Sequence, residues 1–144
     1  MAAIHFFSED VDFVPKYKMN LRVWIKHTAE AEGYAVGELN FIFCSDAYLL
    51  TVNQEFLQHD TFTDIVTFDH SERAGRLAGD IFISIDRVKE NASTFNVREV
   101  DELHRVIIHG VLHLCGYGDK TQKEKTAMTV KEDHYLARRQ FDVQ

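Results

Sequence analysis

His109-Gly110-Val111-Leu112-His113-Leu114-Cys115-Gly116-Tyr117-Gly118-Asp119 sets two imidazoles and a carboxylate at a spacing that suits one metal ion. His109 and His113 are four residues apart, and in a helix that separation stacks two side chains on one face, about one turn apart. Leu103, Val106, Ile107, Ile108, Val111, Leu112, Leu114 and Cys115 make the segment apolar nearly all round, as expected of a helix buried on most sides. Gly116 reads as the C′ residue that ends it. Tyr117-Gly118 then gives the chain freedom to bring Asp119 back toward the histidine face. Three protein ligands leave one coordination position open for water, the catalytic rather than the structural arrangement. The stretch points to a metal-dependent hydrolase.

Spacing alone is thin evidence, because eight histidines in 144 residues give roughly 0.4 pairs at this separation by chance. Context weighs more: two histidines facing inward on an apolar helix are costly to bury without partners. Asp119 has the ordinary alternative of a solvated loop residue or a helix cap. Zinc peptidases usually carry glutamate directly after the first histidine, as general base toward water. Gly110 holds that position here and can take no proton, so a peptidase mechanism lacks its usual base.

The pattern His109-Gly110-x-Leu112-His113-Leu114-x-Gly116-Tyr117 resembles the signature of the YbeY family, bacterial endoribonucleases that act as rRNA maturation factors. Asn53-x-x-Phe56-x-x-x-Asp60-x-x-Thr63-Asp64-Ile65-Val66-Thr67-Phe68 resembles that family's second motif, and Gly79-Asp80-Ile81-x-Ile83-Ser84 its third. The resemblance runs in consistent order from about residue 38 to 119. It implies a zinc-dependent endoribonuclease acting on single-stranded RNA, on rRNA or the ribosome, including the 3′ end of small-subunit rRNA. Its metal ligands would be His109, His113 and Asp119. Two departures stand out. The family's third ligand is usually histidine, where this chain has Asp119; two histidines and one carboxylate remain a zinc set that also suits non-haem iron, so another divalent metal is possible. The family's arginine in the second motif is Leu57 here and its proline is Phe62, with Arg73, Arg76 and Arg98 as candidates to replace the lost cation.

A chain of 144 residues with 45% hydrophobic content can bury a core but is too short to suggest two domains, so 1–144 reads as a single domain. No leader-like segment and no run of membrane-span length appear, which places the expected site of action in the cytoplasm. Cys44 and Cys115 form no paired motif and read as free buried thiols, with Cys115 a disfavoured fourth ligand. The net charge of −7 argues against broad, tight binding to nucleic acid, DNA included. Lys120, Lys123 and Lys125, with Arg138-Arg139 farther along and Lys16, Lys18, Arg22 and Lys26 near the first helix, could form a local cationic rim, although each cluster alone reads first as an ordinary solvated helix face.

The remaining pattern predicts an α+β fold: a small mixed sheet of about four strands with about five helices, one of them a zincin-like metal helix. Strands are expected over Ile4–Phe7, Leu39–Phe43, Ile65–Phe68 and Ile81–Ile85, the last two adjacent. Helices are expected from Pro15 to Glu32, from a Ser45 cap to Leu57, from an Asp86 cap to Phe95, from Arg98 through the histidine pair, and from the Thr121-x-x-Glu124 capping box to Phe141. His5, His27, His59, His70, His104 and His134 lack ligand spacing to the main pair, and His104 turns away from it. Thr63, Asp64 and Asp80 read as backbone anchors, and no residue is assigned as general base. Two alternatives stand beside the endoribonuclease: a zinc peptidase, and a non-catalytic, metal-stabilised ribosome assembly factor.

Overall fold

Alternation in the central strand divides the protein into two unequal layers. In β2 (Ala35–Cys44), Leu39, Phe41 and Phe43 are fully buried on one face of the sheet. Ile42 and Cys44 are buried on the other. The computed structural model describes residues 2–57 and 63–143, so His59, Asp60 and Phe62 of the sequence motifs lie outside the described residues. Within them, β1 (Ala3–Ser8), β2, β3 (Ile65–Asp69) and β4 (Arg76–Ser84) form one mixed sheet in the order β1-β2-β4-β3. β1 and β4 flank β2 in parallel, and β3 pairs antiparallel with β4 through Ile65 opposite Ile83 and Thr67 opposite Ile81. The expected adjacency of the last two strands is therefore correct.

The larger core lies between the Phe41 face and helices α1 (Lys18–Ala31), α3 (Ile85–Phe95), α4 (Glu99–Leu114) and α5 (Gln122–Leu136). The opposite face carries a small cluster of Cys44, Leu49, Val52 and Val66 under α2 (Asp46–Leu57). Both cysteines are free and buried, as their apolar settings implied. No helix among the described residues is long and apolar enough to cross a membrane.

Three helix limits differ from the sequence expectation. Pro15 does not open α1: Tyr17 adopts the left-handed conformation at φ 64° and packs on Phe141, so the helix starts at Lys18. Ser84, not Asp86, caps α3 by accepting from the Arg87 amide at 3.2 Å, while Asp86 accepts from the Asp46 amide at 2.8 Å. α5 stops at Leu136 rather than Phe141. The residues beyond it fold back, so that Arg139 pairs with Asp101 and Phe141 packs beside His104. The Ser45 cap is as expected, its hydroxyl accepting from the Tyr48 amide at 3.0 Å.

α4 is the central helix, packed against α1, α3, α5 and strands β3 and β4. From Asp101 to Leu114 only Asp101, Arg105, His109 and His113 escape full burial, a single row at four-residue spacing. The helix rests on the sheet through Gly110, where an added Cβ would stand 2.9 Å from both Ile65 Cδ1 and Ile81 Cγ2. Alanine gains about 1 kcal/mol of helix propensity over glycine, but overpacking a close contact costs about 1–3 kcal/mol. Gly110→Ala is therefore expected to lose about 1 kcal/mol net in urea denaturation; a more stable variant would refute the close approach.

His104, on the far side of α4, is 1% exposed and packs between Trp24 and Phe141 while its Nδ1 accepts from the Arg139 guanidinium at 2.7 Å. Burial, and then the Arg139 charge, push its pKa down to about 4 from the ordinary 6.5. The unfolded chain thus takes up a proton that the folded chain refuses. The stability held by neutral His104 is complete above pH 6.5 and is lost as pH falls toward 4. The stability of the wild type relative to His104→Gln should drop by about 3 kcal/mol between pH 7 and pH 4. A pH-independent difference in denaturation would show that His104 is protonated in the fold.

Candidate metal centre

α4 ends in a Schellman turn that places the carbonyl of Tyr117 beside the second histidine. Gly116, at φ 105°, donates to the His113 carbonyl at 3.0 Å, and Tyr117 donates to the Leu112 carbonyl at 3.1 Å. The Tyr117 carbonyl then accepts from His113 Nδ1 at 2.9 Å. The Tyr117 hydroxyl is anchored on Glu32 at 2.7 Å, where Lys131 and Tyr135 also donate. Four residues later, at Thr121, the capping box of α5 takes over. The Glu124 carboxylate accepts from the Thr121 amide at 3.0 Å, and the Thr121 hydroxyl accepts from the Glu124 amide at 3.1 Å. Asp119 is held between these two local motifs.

The first histidine is oriented by α5. His109 Nδ1 donates to Glu132 Oε2 at 2.6 Å, and Glu132, 6% exposed, also accepts from Arg105 at 2.8 Å. Both Nδ1 protons are committed to acceptors, because neither a carboxylate nor a carbonyl can donate. In the neutral imidazoles both Nε2 lone pairs then face Asp119 Oδ2, each at 3.3 Å. Three electron-rich atoms pointing at one another repel unless a cation sits among them. Ligands held tetrahedrally at zinc distances of about 2.0–2.1 Å lie about 3.3–3.4 Å apart, so the donor set fits one ion. His109, His113 and Asp119 are the one group of this kind among the described residues. A hydrogen-bonded carboxylate behind a ligating histidine fixes its tautomer and raises its basicity.

Charge around the centre follows the same geometry. Burial opposes a proton on His109, but the Glu132 hydrogen bond and charge, with Asp64 and Asp119, outweigh it and hold its pKa above the ordinary value. Asp64, read from sequence as a backbone anchor, lines the cavity beside His109; burial, together with Glu132 and Asp119, raises its pKa against the pull of His109. Asp80, also read as a backbone anchor, bonds side chains instead, accepting from Asn40 at 3.0 Å and bonded to His70 at 3.0 Å. Thr63 bonds the Ile65 carbonyl at 3.3 Å.

Of the proposed cations, Lys125 lines this cavity, joined by Arg105, which the sequence did not single out. Arg73 and Arg76 line a different cavity, and Arg98 is engaged with Asp101 and the Val143 carbonyl. None of the three lines the cavity beside His109, and Leu57 is 39% exposed at the end of α2. Gly110 lies against Ile65 and Ile81, so a side chain at the peptidase base position would have to displace them.

An α+β domain in which two histidines and a carboxylate could hold one metal ion beside a cavity has the arrangement of a metal-dependent hydrolase. The family model for endoribonuclease YbeY matches residues 4–140. A relative from Cytophaga hutchinsonii named endoribonuclease YbeY is 54% identical over 138 residues, covering 96% of this chain and 96% of its own. One of the same name from Christiangramia forsetii is 48% identical over 134 residues, covering 93% of this chain and 92% of its own. The solution structure of TM1509 from Thermotoga maritima matches with a TM-score of 0.64 and 31% identity, covering 92% of this chain and 86% of that one. The chain belongs to the YbeY endoribonuclease family.

Sequence spacing could not have found Glu132, which reaches His109 only through the docking of α5 on α4. Glu132→Gln should weaken zinc binding about 10- to 100-fold, measured by competition with a chromophoric chelator. Unchanged affinity would mean that Glu132 does not act through His109.

Proposed function

We propose that this chain is a single-domain, metal-dependent endoribonuclease that cleaves single-stranded RNA during rRNA maturation in the cytoplasm, with zinc held by His109, His113 and Asp119. The observation that carries this is the convergence of both Nε2 lone pairs on Asp119 Oδ2 at the mouth of a cavity. When bound, a divalent ion supplies Lewis acidity toward a phosphoryl oxygen and makes water a stronger nucleophile near neutral pH. The chain's own residues prepare that chemistry. Glu132 and the Tyr117 carbonyl hold the two imidazoles with Nε2 forward, so their orientation needs no reorganisation when substrate arrives.

The cavity sets the carboxylates of Asp64, Glu102, Asp119 and Glu132 against the cations Arg105 and Lys125. A phosphodiester is repelled from such a surface until a cation offsets it, which makes RNA engagement depend on metal loading. Lys125 makes no ion pair among the described residues and sits where it can meet a phosphate. Gly110, which carries no base and lies close against Ile65 and Ile81, disfavours the peptidase alternative.

Zinc-loaded protein should cut single-stranded rRNA, with cleavage abolished by chelation. His113→Ala should lose metal and at least about a thousandfold in rate together, the several kcal/mol that Lewis-acid catalysis supplies. Cleavage by a metal-free His113→Ala protein would overturn the mechanism. Bound metal without cleavage of any RNA would favour a non-catalytic assembly factor.

A further inference from the structure

Glu102 is buried to 5% exposure, yet its carboxylate accepts no hydrogen bond from any described residue. It stands two turns before His109 on α4, about 10.5 Å along the axis, and lines the same cavity of about 320 Å³ as His109 and Asp119. No side-chain oxygen or nitrogen among the described residues is sealed away without a partner, so the Glu102 carboxyl meets the cavity. A carboxylate taken from water without donors is costly. Asp64 and Glu132 add like charge to it, with Arg105 opposing them. Val106 and Met128, 3% and 2% exposed, supply apolar wall on the same cavity. A buried carboxylate that no donor meets, with apolar wall beside it, describes one end of a recognition pocket, and the cavity's volume is in the range of small-ligand sites.

The substrate class, which rests on the endoribonuclease reading, narrows what such a group accepts. Phosphate is excluded by charge. Uracil presents its one imino donor between two carbonyl acceptors, and adenine and cytosine each present an amino donor beside a ring acceptor. Guanine alone offers two adjacent Watson–Crick donors, N1–H and the N2 amino group, which match the two oxygens of a carboxylate. Single-stranded RNA exposes that edge to side chains.

We propose that Glu102 is a specificity residue that reads a guanine next to the scissile phosphate, accepting from N1–H and N2–H while Val106 and Met128 cover the ring. The test uses zinc-loaded protein and two readouts. One is binding of guanosine monophosphate against inosine monophosphate, which differ only by the N2 amino group, followed by NMR titration. The other is cleavage of a uridine-rich oligonucleotide carrying one guanosine or one inosine. Wild type should prefer guanosine about tenfold in both, the loss expected for one hydrogen bond to a charged acceptor. Glu102→Gln, which keeps the side-chain volume, should reduce the preference to less than about twofold.

Guanosine preference in binding with no RNA cleaved would support the pocket and overturn the nuclease reading. Cleavage with no preference for guanosine over inosine in either readout would overturn the pocket and leave the nuclease. An undiminished preference in folded Glu102→Gln would overturn the assignment to this residue. The wild-type comparison of the two nucleobases needs no variant, so a misfolded Glu102→Gln protein leaves the proposal testable.

Discussion

The close seat of α4 on the sheet at Gly110 sets the rotation of the helix about its axis, and most of the architecture follows from that angle. With Ile65 and Ile81 against the glycine, Ile107, Ile108, Val111 and Leu112 are driven into the core. The row of Asp101, Arg105, His109 and His113 is left facing the groove beside α5. A residue larger than glycine would lift or roll the helix. Both imidazoles would then move, because side chains on one helix face turn together. The feature that excludes a glutamate from this position is therefore the one that aims the histidines.

Once aimed, the histidines are fixed by two different kinds of acceptor. His109 is tied to a carboxylate on another helix, and His113 to a backbone carbonyl in its own C-terminal turn. The first bond carries charge and couples the centre to Arg105 and Asp133 through the Glu132 pair. The second carries little charge and depends on the left-handed Gly116. The two imidazoles thus rest on acceptors of different charge, which gives a three-ligand site an electronic asymmetry despite two identical ligand types.

Local signals in the chain were sufficient for much of this. The four-residue histidine spacing, Gly116 as the end of α4, the Ser45 cap and the Thr121–Glu124 capping box all involve residues within one or two turns, and all appear as the sequence implied. The four-strand mixed sheet was legible because β-branched and aromatic runs alternate on a buried surface. What was not legible depends on tertiary approach. Glu132 and Arg105 look like ordinary charges on helix faces until α5 docks. Asp64 becomes a cavity residue only because β3 begins beside α4. The start of α1 failed for the same reason: a proline at the right place predicts a helical first turn, but packing of Tyr17 on Phe141, which is distant in sequence, moves the boundary.

The two carboxylates that complete the centre both come from the chain beyond α4: Asp119 from the loop into α5, and Glu132 from the third turn of α5 itself. During synthesis this helix follows everything else that builds the sheet and its larger core. The preceding residues can collapse around Phe41 and Ile107 before any ion can be held. An ion captured afterward favours the docked position of α5 over its detached one, by mass action on the folded state alone. Once loaded, the centre would act as a clasp on the last helix, and a chain truncated before Asp119 would carry the histidine pair without either carboxylate.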